Sequence, residues 1–196
     1  MSIPIALIAG LGNPGSQYLR TRHNAGADFV TALAESCDAT LKPEAWCHGL
    51  SARIQIGAHE LRLLIPGTYM NRSGQSVGAA ASFYKLDPES ILVAHDELDL
   101  APGEVRFKRG GGHGGHNGLR DIIGALGNAS EFHRLRIGIG HPGVSDLVSP
   151  WVLSRPAPDD RARIDACIRE AIRVLPDAVE GKWAIAMNHL HTFSAD

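Results

Sequence analysis

The stretch IPIALIAGLGNPG, residues 3–15, decides the fold. Ile3 to Ala9 is short, apolar and bounded by glycine. Such a run without alternation reads as a strand buried on both faces, the kind found in parallel sheets. It delivers Gly10-Leu11-Gly12-Asn13-Pro14-Gly15, which matches GxGxxG in spelling. A dinucleotide site needs a helix that opens inside that motif and an acid at the end of a second strand about 20 residues on. Here Pro14 and Gly15 favour a turn, and no strand precedes Asp38. What remains is a loop at the carboxyl end of a central strand, where α/β sheets bind ligands. Asn13 lies in that loop with a donor and an acceptor to offer.

The pattern repeats outward from this strand. Asn24 to Glu35 is helical in spacing through Phe29, Val30, Leu33 and Ala34, with His23 just ahead of a plausible cap at Asn24. Histidine is the natural general base near neutrality, although a lone histidine also simply decorates a helix start. Leu50 to Gly57 and His59 to Ile65 read as a hairpin about Gly57-Ala58. After Pro66-Gly67 comes TYMNRSG, residues 68–74, then an Ala-rich helix to about Tyr84. Asn71 therefore sits at another strand-to-helix junction, where capping and ligand binding fit equally well. Ser90 to Ala94 is a buried strand that delivers His95-Asp96. Val105 to Lys108 is a short strand, and Leu135 to Gly140 is the last major one. Val144 to Pro158 reads as a mobile segment. Two helices follow, one capped by Asp159-Asp160 and one from about Asp177 to His191. Both read as scaffold, with histidines on the surface. The chain is α/β, and polar residues gather at strand ends: Asn13, Asn71, Asp96 and Asn117. Four such residues after separate strands and turns point to one pocket.

The densest chemistry is HDELDLAPGEVRFKRGGGHGGHNGLRD, residues 95–121. Carboxylates at Asp96, Glu97 and Asp99 precede a basic strip of Arg106, Lys108 and Arg109. Five glycines then interleave with His113 and His116 before Asn117-Gly118. Glycine at this density costs backbone entropy, so it persists where a ligand or another segment approaches the backbone. Asn117 is placed to cap a helix, and a helix start beside Lys and Arg suits an anion. These features indicate a phosphate-bearing ligand next to a carboxylate. A solvated glycine loop is the plainer alternative.

Composition narrows the classes. The chain has 196 residues and a formal charge of −2, which excludes a globally basic nucleic-acid binder but not a local patch. From Glu104 to Arg136 six Lys/Arg face three Asp/Glu, enough to steer a polyanion in a salt-sensitive way. Cys37, Cys47 and Cys167 show no CxxC spacing, so neither a disulfide frame nor a zinc knuckle is indicated, and a reducing cytoplasm fits. The apolar start is too short for a signal peptide, and no run reaches membrane-spanning length.

Read as chemistry, His23 and Asp96 make a base and its orienter, with a water as nucleophile. No GxSxG elbow competes. A metal set drawn from His95, His113, His116, Asp96, Glu97 and Asp99 is the rival, but HGGH lacks the helical HExxH spacing. A pure RNA- or nucleotide-binding module is the third option, although the basic strip offers only Phe107 for stacking.

GLGNPGSQYLRTRHNAG, PGTYMNRSGQSV, LVAHDELDLAPGEVRFKRGGGHGGHNGLRDI and FHRLRIGIGHPG together resemble the bacterial-type peptidyl-tRNA hydrolase family, over nearly the whole chain and in the family's order. The resemblance implies one α/β domain over residues 1–196, with a mixed, mostly parallel central sheet flanked by helices. It implies a cytoplasmic, monomeric enzyme without metal or cofactor. Its substrate would be peptidyl-tRNA, cleaved at the ester to the 3′ ribose. By matching positions, His23 would be the base and Asp96 its partner. Asn13 and Asn71 would position substrate and water. Asn117, with His116 beside it, would hold the water and the 3′ end. Tyr18 and Met70 would line the cleft, and Lys108 and Arg136 would meet tRNA phosphate. The resemblance is looser after HPG, where residues 144–150 carry no positive charge.

Overall fold

The computed structural model describes residues 3–196. Seven strands form one mixed sheet in the order β2-β3-β4-β1-β5-β7-β6. They are β1 (Leu7–Gly10), β2 (Lys42–Glu44), β3 (Gly49–Ile56), β4 (His59–Pro66), β5 (Ile91–Glu97), β6 (Val105–Arg109) and β7 (His133–Gly138). The central four, β4, β1, β5 and β7, run parallel. The edges are antiparallel: β3 on β4, β2 on β3 and β6 on β7. The expected α/β sheet is present. β1 is fully buried, as its unbroken apolar run requires, but it starts at Leu7 rather than Ile3. Pro4 has no N–H for a ladder, and Ile3 is exposed.

The six helices are α1 (Ala25–Ser36), α2 (Ser73–Tyr84), α3 (Asn117–Ala125), α4 (Val148–Val152), α5 (Pro158–Val179) and α6 (Trp183–Thr192). They cover both faces. Phe29 and Leu33 of α1, Ile164 and Leu175 of α5 and Leu190 of α6 join one core with Ile8, Leu63 and Leu92. Val77 of α2 and Leu119 and Ile122 of α3 join the other with Leu7, Leu64, Val93 and Phe132. The sheet's inward residues thus divide between the two faces by strand alternation.

Three sequence readings are corrected. The segment from Val144 is not featureless: Ser145–Leu147 forms a 3₁₀ turn that continues into α4. The break between the last two helices falls at residues 180–182, because Gly181 takes φ 79°, a left-handed value that glycine adopts at no steric cost. His191 is not a surface histidine: its Nε2 accepts the main-chain N–H of Phe107 at 3.0 Å, so α6 covers an otherwise open edge at β6.

Candidate active site

The sheet's carboxyl edge assembles the site. β1 ends in the loop holding Asn13, β4 leads to a 3₁₀ turn at Met70–Arg72, and β5 presents Asp96. A 3₁₀ turn at Arg22–Asn24 brings His23 from the start of α1. Close packing of α1 on the strands permits this approach. A Cβ on Gly26 would lie 2.1 Å from the main-chain oxygen of Ala94, and one on Gly10 would lie 2.2 Å from that of Gly26. Only glycine lets the helix start descend onto β1 and β5.

His23 Nδ1 lies 3.0 and 2.9 Å from the two Asp96 carboxylate oxygens. His116 Nε2 reaches the same carboxylate at 2.9 Å. One buried carboxylate therefore serves two histidines, whose ring centroids are 5.1 Å apart. The Asp96 side chain is 2 % exposed, against 12 % for His23. Both imidazoles hold Asp96 well below the usual carboxylate range, against a burial effect that acts the other way. For His23 burial favours the neutral ring, but the charge and hydrogen bond of Asp96 prevail and raise its pKa above the ordinary value. With Nδ1–H donated to Asp96, His23 keeps a lone pair on Nε2. His116 Nδ1 accepts the Leu119 N–H at 3.4 Å, which fixes its Nε2 as the nitrogen donating to Asp96. His116, not Asn117, is thus the cap of α3.

His95 also lies here, fully buried. Its Nδ1–H donates to the Asp96 main-chain oxygen at 2.7 Å, and burial together with nearby His116 lowers its pKa to about 3. It is a neutral packing element beside the pair.

The asparagines are fixed to different degrees. Asn13 Oδ1 accepts the Met70 N–H at 2.7 Å, while its main-chain N–H and C=O are held by Asn24 at 2.9 and 3.0 Å. Asn24, expected as a cap, makes no capping bond and instead locks Asn13. Asn117 Oδ1 accepts from Arg120 at 2.8 Å. Asn71 and Asn117 are exposed on the rim. Met70 is buried, and Tyr18 meets Tyr69 edge to face at 6.4 Å.

All ten expected residues line one cleft of about 1150 Å³: Asn13, Tyr18, His23, Met70, Asn71, Asp96, Lys108, His116, Asn117 and Arg136. The antiparallel register sets Lys108 opposite Arg134 and Arg106 opposite Arg136, so the basic residues share one face of the β6–β7 ladder. They are not equivalent there. Arg136 is tied to Glu97 at 2.9 Å, and Arg134 is buried, donating to the carbonyls of Gly111 and Gly112. Lys108 is exposed and makes no ion pair among the described residues. The glycine loop needs its glycines for backbone angle: Gly110, Gly111, Gly114 and Gly115 have φ of 65°, 98°, 56° and 82°. Sequence reading did not find Asn24, Arg134 or the far wall of Val148, Ser149, Val152 and Leu153. The only hints were Arg134 just ahead of the alternating run Leu135 to Gly140 and the apolar residues of segment 144–158.

The six-residue metal set does not gather. His95 and His113 spend their Nδ1 atoms on the main chain. Among the described residues, the metal-capable grouping is His23, Asp96 and His116, with donor atoms within 4.8 Å of one another. One nitrogen of each imidazole in it, His23 Nδ1 and His116 Nε2, already faces the carboxylate.

Known proteins place this constellation in context. The family model described as peptidyl-tRNA hydrolase matches residues 7–196. A peptidyl-tRNA hydrolase of Chromohalobacter salexigens is 56% identical over 191 residues, covering 97% of this chain and 98% of the relative. One from Pseudomonas putida is also 56% identical over 191 residues, with the same coverage. The crystal structure of peptidyl-tRNA hydrolase from Acinetobacter baumannii superposes with a TM-score of 0.94 at 51% identity, over 97% of this chain and 96% of that one. With sequence and fold matched over nearly the whole chain, it belongs to the peptidyl-tRNA hydrolase family.

Proposed function

We propose that this protein hydrolyses the ester joining a peptide to the 3′ ribose of tRNA, with a water activated by His23 and without a metal. The observation that carries this reading is the paired contact of His23 Nδ1 with both Asp96 oxygens, at 2.9–3.0 Å on the cleft floor. His23 Nε2 takes a proton from water as the water oxygen attacks the ester carbonyl. The resulting imidazolium is stabilised by Asp96, whose charge the buried site does not screen. When the tetrahedral intermediate collapses, the ribose 3′ oxygen leaves and receives that proton from Nε2–H. The products are a free peptide carboxyl group and a tRNA with its 3′ hydroxyl restored.

The other roles follow from what each residue has left to offer. Asn13, its oxygen engaged by Met70, offers amide protons to the substrate carbonyl or to the water. Asn117, its oxygen held by Arg120, offers amide protons in the same way, and His116 keeps Asp96 in place. Asn71 acts from the rim, and Tyr18 and Met70 line the path of the peptide and terminal nucleotide. Lys108 is the free phosphate contact. Arg136 would have to share its guanidinium with Glu97 or release it. The enzyme acts as a monomer in the cytoplasm, where translation leaves this substrate.

The deciding experiment is hydrolysis of a labelled N-blocked aminoacyl-tRNA in EDTA, with wild type and His23→Ala side by side. Wild-type turnover in chelator, falling about 10²–10⁴-fold in the variant with tRNA binding retained, is the expected result. Turnover abolished by EDTA and restored by a divalent ion would instead assign His23, Asp96 and His116 to a metal.

A further inference from the structure

The residue just before the catalytic histidine has no part in the chemistry above, yet it occupies an unusual place. Arg22 is 5 % exposed, and no carboxylate pairs with it among the described residues. Burying a guanidinium with no carboxylate in contact is costly. The charge of Asp160 acts on it from beyond contact distance, Nε finds no partner among the described residues, and the stack and the Nη1 hydrogen bonds supply the rest. Its planar head lies on the indole of Trp151, with Cζ 3.5 Å from the ring centroid. Nη1 donates to Ser154 Oγ at 2.6 Å and to the Arg155 carbonyl at 3.2 Å. Its main-chain N–H donates to the Ser154 carbonyl at 3.0 Å. Every one of these partners belongs to α4 or the four residues after it.

The neighbouring contacts run in the same direction. Arg155 Nε donates to the Leu19 carbonyl at 3.1 Å, so the two segments are tied in both senses. Arg20 turns the chain with φ 63° and is anchored to Asp165 of α5 at 2.9 Å. Trp151 is fixed from behind by its indole N–H on the Gly140 carbonyl at 2.9 Å. Val148, Ser149, Val152 and Leu153 of the same segment line the cleft that also contains His23.

Resting on the function proposed above, we infer that Arg22 is a positioning residue: it clasps the α4 wall to the segment bearing the base and so sets the width of the substrate cleft. His23 has its own anchor in Asp96, so loss of the clasp loosens the wall and leaves the base aimed. The effect belongs in KM rather than kcat.

The test compares wild type, Arg22→Lys and Arg22→Met. Expected for Arg22→Met is a KM on N-blocked aminoacyl-tRNA raised about tenfold or more, with kcat within about threefold and the pH midpoint of kcat unchanged. Arg22→Lys keeps the charge and a donor for the Ser154 side but loses the planar stack on Trp151, and falls between the two. Acrylamide quenching of Trp151, read against a Trp151→Phe background, rises in Arg22→Met. An unchanged KM, or a fall confined to kcat, overturns the clasp even if the variant is less heat-stable. The quenching readout is independent of activity. An inactive wild type with a Trp151 that responds to Arg22→Met sinks the functional reading and not the clasp, and unaltered quenching sinks the clasp whatever the activity.

Discussion

At the scale of single residues, the site turns on one buried charge. Asp96 is shared by His23 and His116, and its carboxylate holds a proton on His23 beyond the pH at which a free imidazole gives it up. On the proposed mechanism the active form of His23 is the neutral ring, so the rising limb of kcat/KM is expected to have its midpoint above 6.5, the ordinary value. In Asp96→Asn the raising influence is gone while burial, which lowers the pKa, remains. The limb moves to lower pH, and turnover drops about a hundredfold or more because the imidazolium formed in the reaction has lost its counter-charge. A pH–rate profile of the two proteins decides it, and an unmoved midpoint refutes the assignment. Asp96 and the asparagines were visible in the sequence as types at strand ends, and His23 as a histidine at a helix start. Asn24 and Arg134 were not, because what they hold is main chain distant in sequence or across a turn.

At the scale of elements, the decisive contact is the seating of α1. The helix start meets β1 and β5 through Gly10 and Gly26, with no room for a side chain between. Gly26→Ala places a methyl carbon against the Ala94 carbonyl, which belongs to a central strand and cannot yield. Strain of this kind costs about 1–3 kcal/mol, occasionally more. Denaturant unfolding is expected to register that loss, and activity is expected to fall further than stability, since the same shift lifts His23 from Asp96. A variant as stable and active as wild type would show that the helix has slack. The short α4 was read only as part of a mobile segment. Five residues carry too little periodicity to declare a helix, and its place is fixed by Arg22 and Trp151 across more than 120 residues of sequence.

At the scale of the whole molecule, acid sensitivity is built into the core. Burial lowers His95 to about 3, and burial with nearby Arg109 lowers His133 to about 4. His133 lies flat against Trp183, ring centroids 3.9 Å apart, where α6 packs over the β6 edge of the sheet. The unfolded chain takes up protons at both positions near pH 6.5, whereas the folded chain refuses them until about 4 and about 3. Protonation therefore favours the unfolded state, and stability declines as pH falls from 6.5 toward 4. Chemical denaturation across that range measures the slope. It is expected to be shallower in His133→Gln, and an equal slope would remove His133 from the account.

The sequence by itself determined the order of the other strands and helices, though not β2 or α4, together with the α/β class, the buried character of β1 and β5, and the asparagines and Asp96 at strand ends. All of these are local: apolar run length, periodicity, and turn residues at fixed offsets. Its long motifs also carried the family resemblance. Only the tertiary structure decided which of those residues touch. It gave Asp96 two histidines rather than one, tied Arg136 to Glu97 while leaving Lys108 free, and turned Asn24 from a cap into a lock on Asn13. It also closed the far wall of the cleft with α4. Each is a contact between segments far apart in the chain, settled by strand register and helix seating, and no pattern within either segment records it.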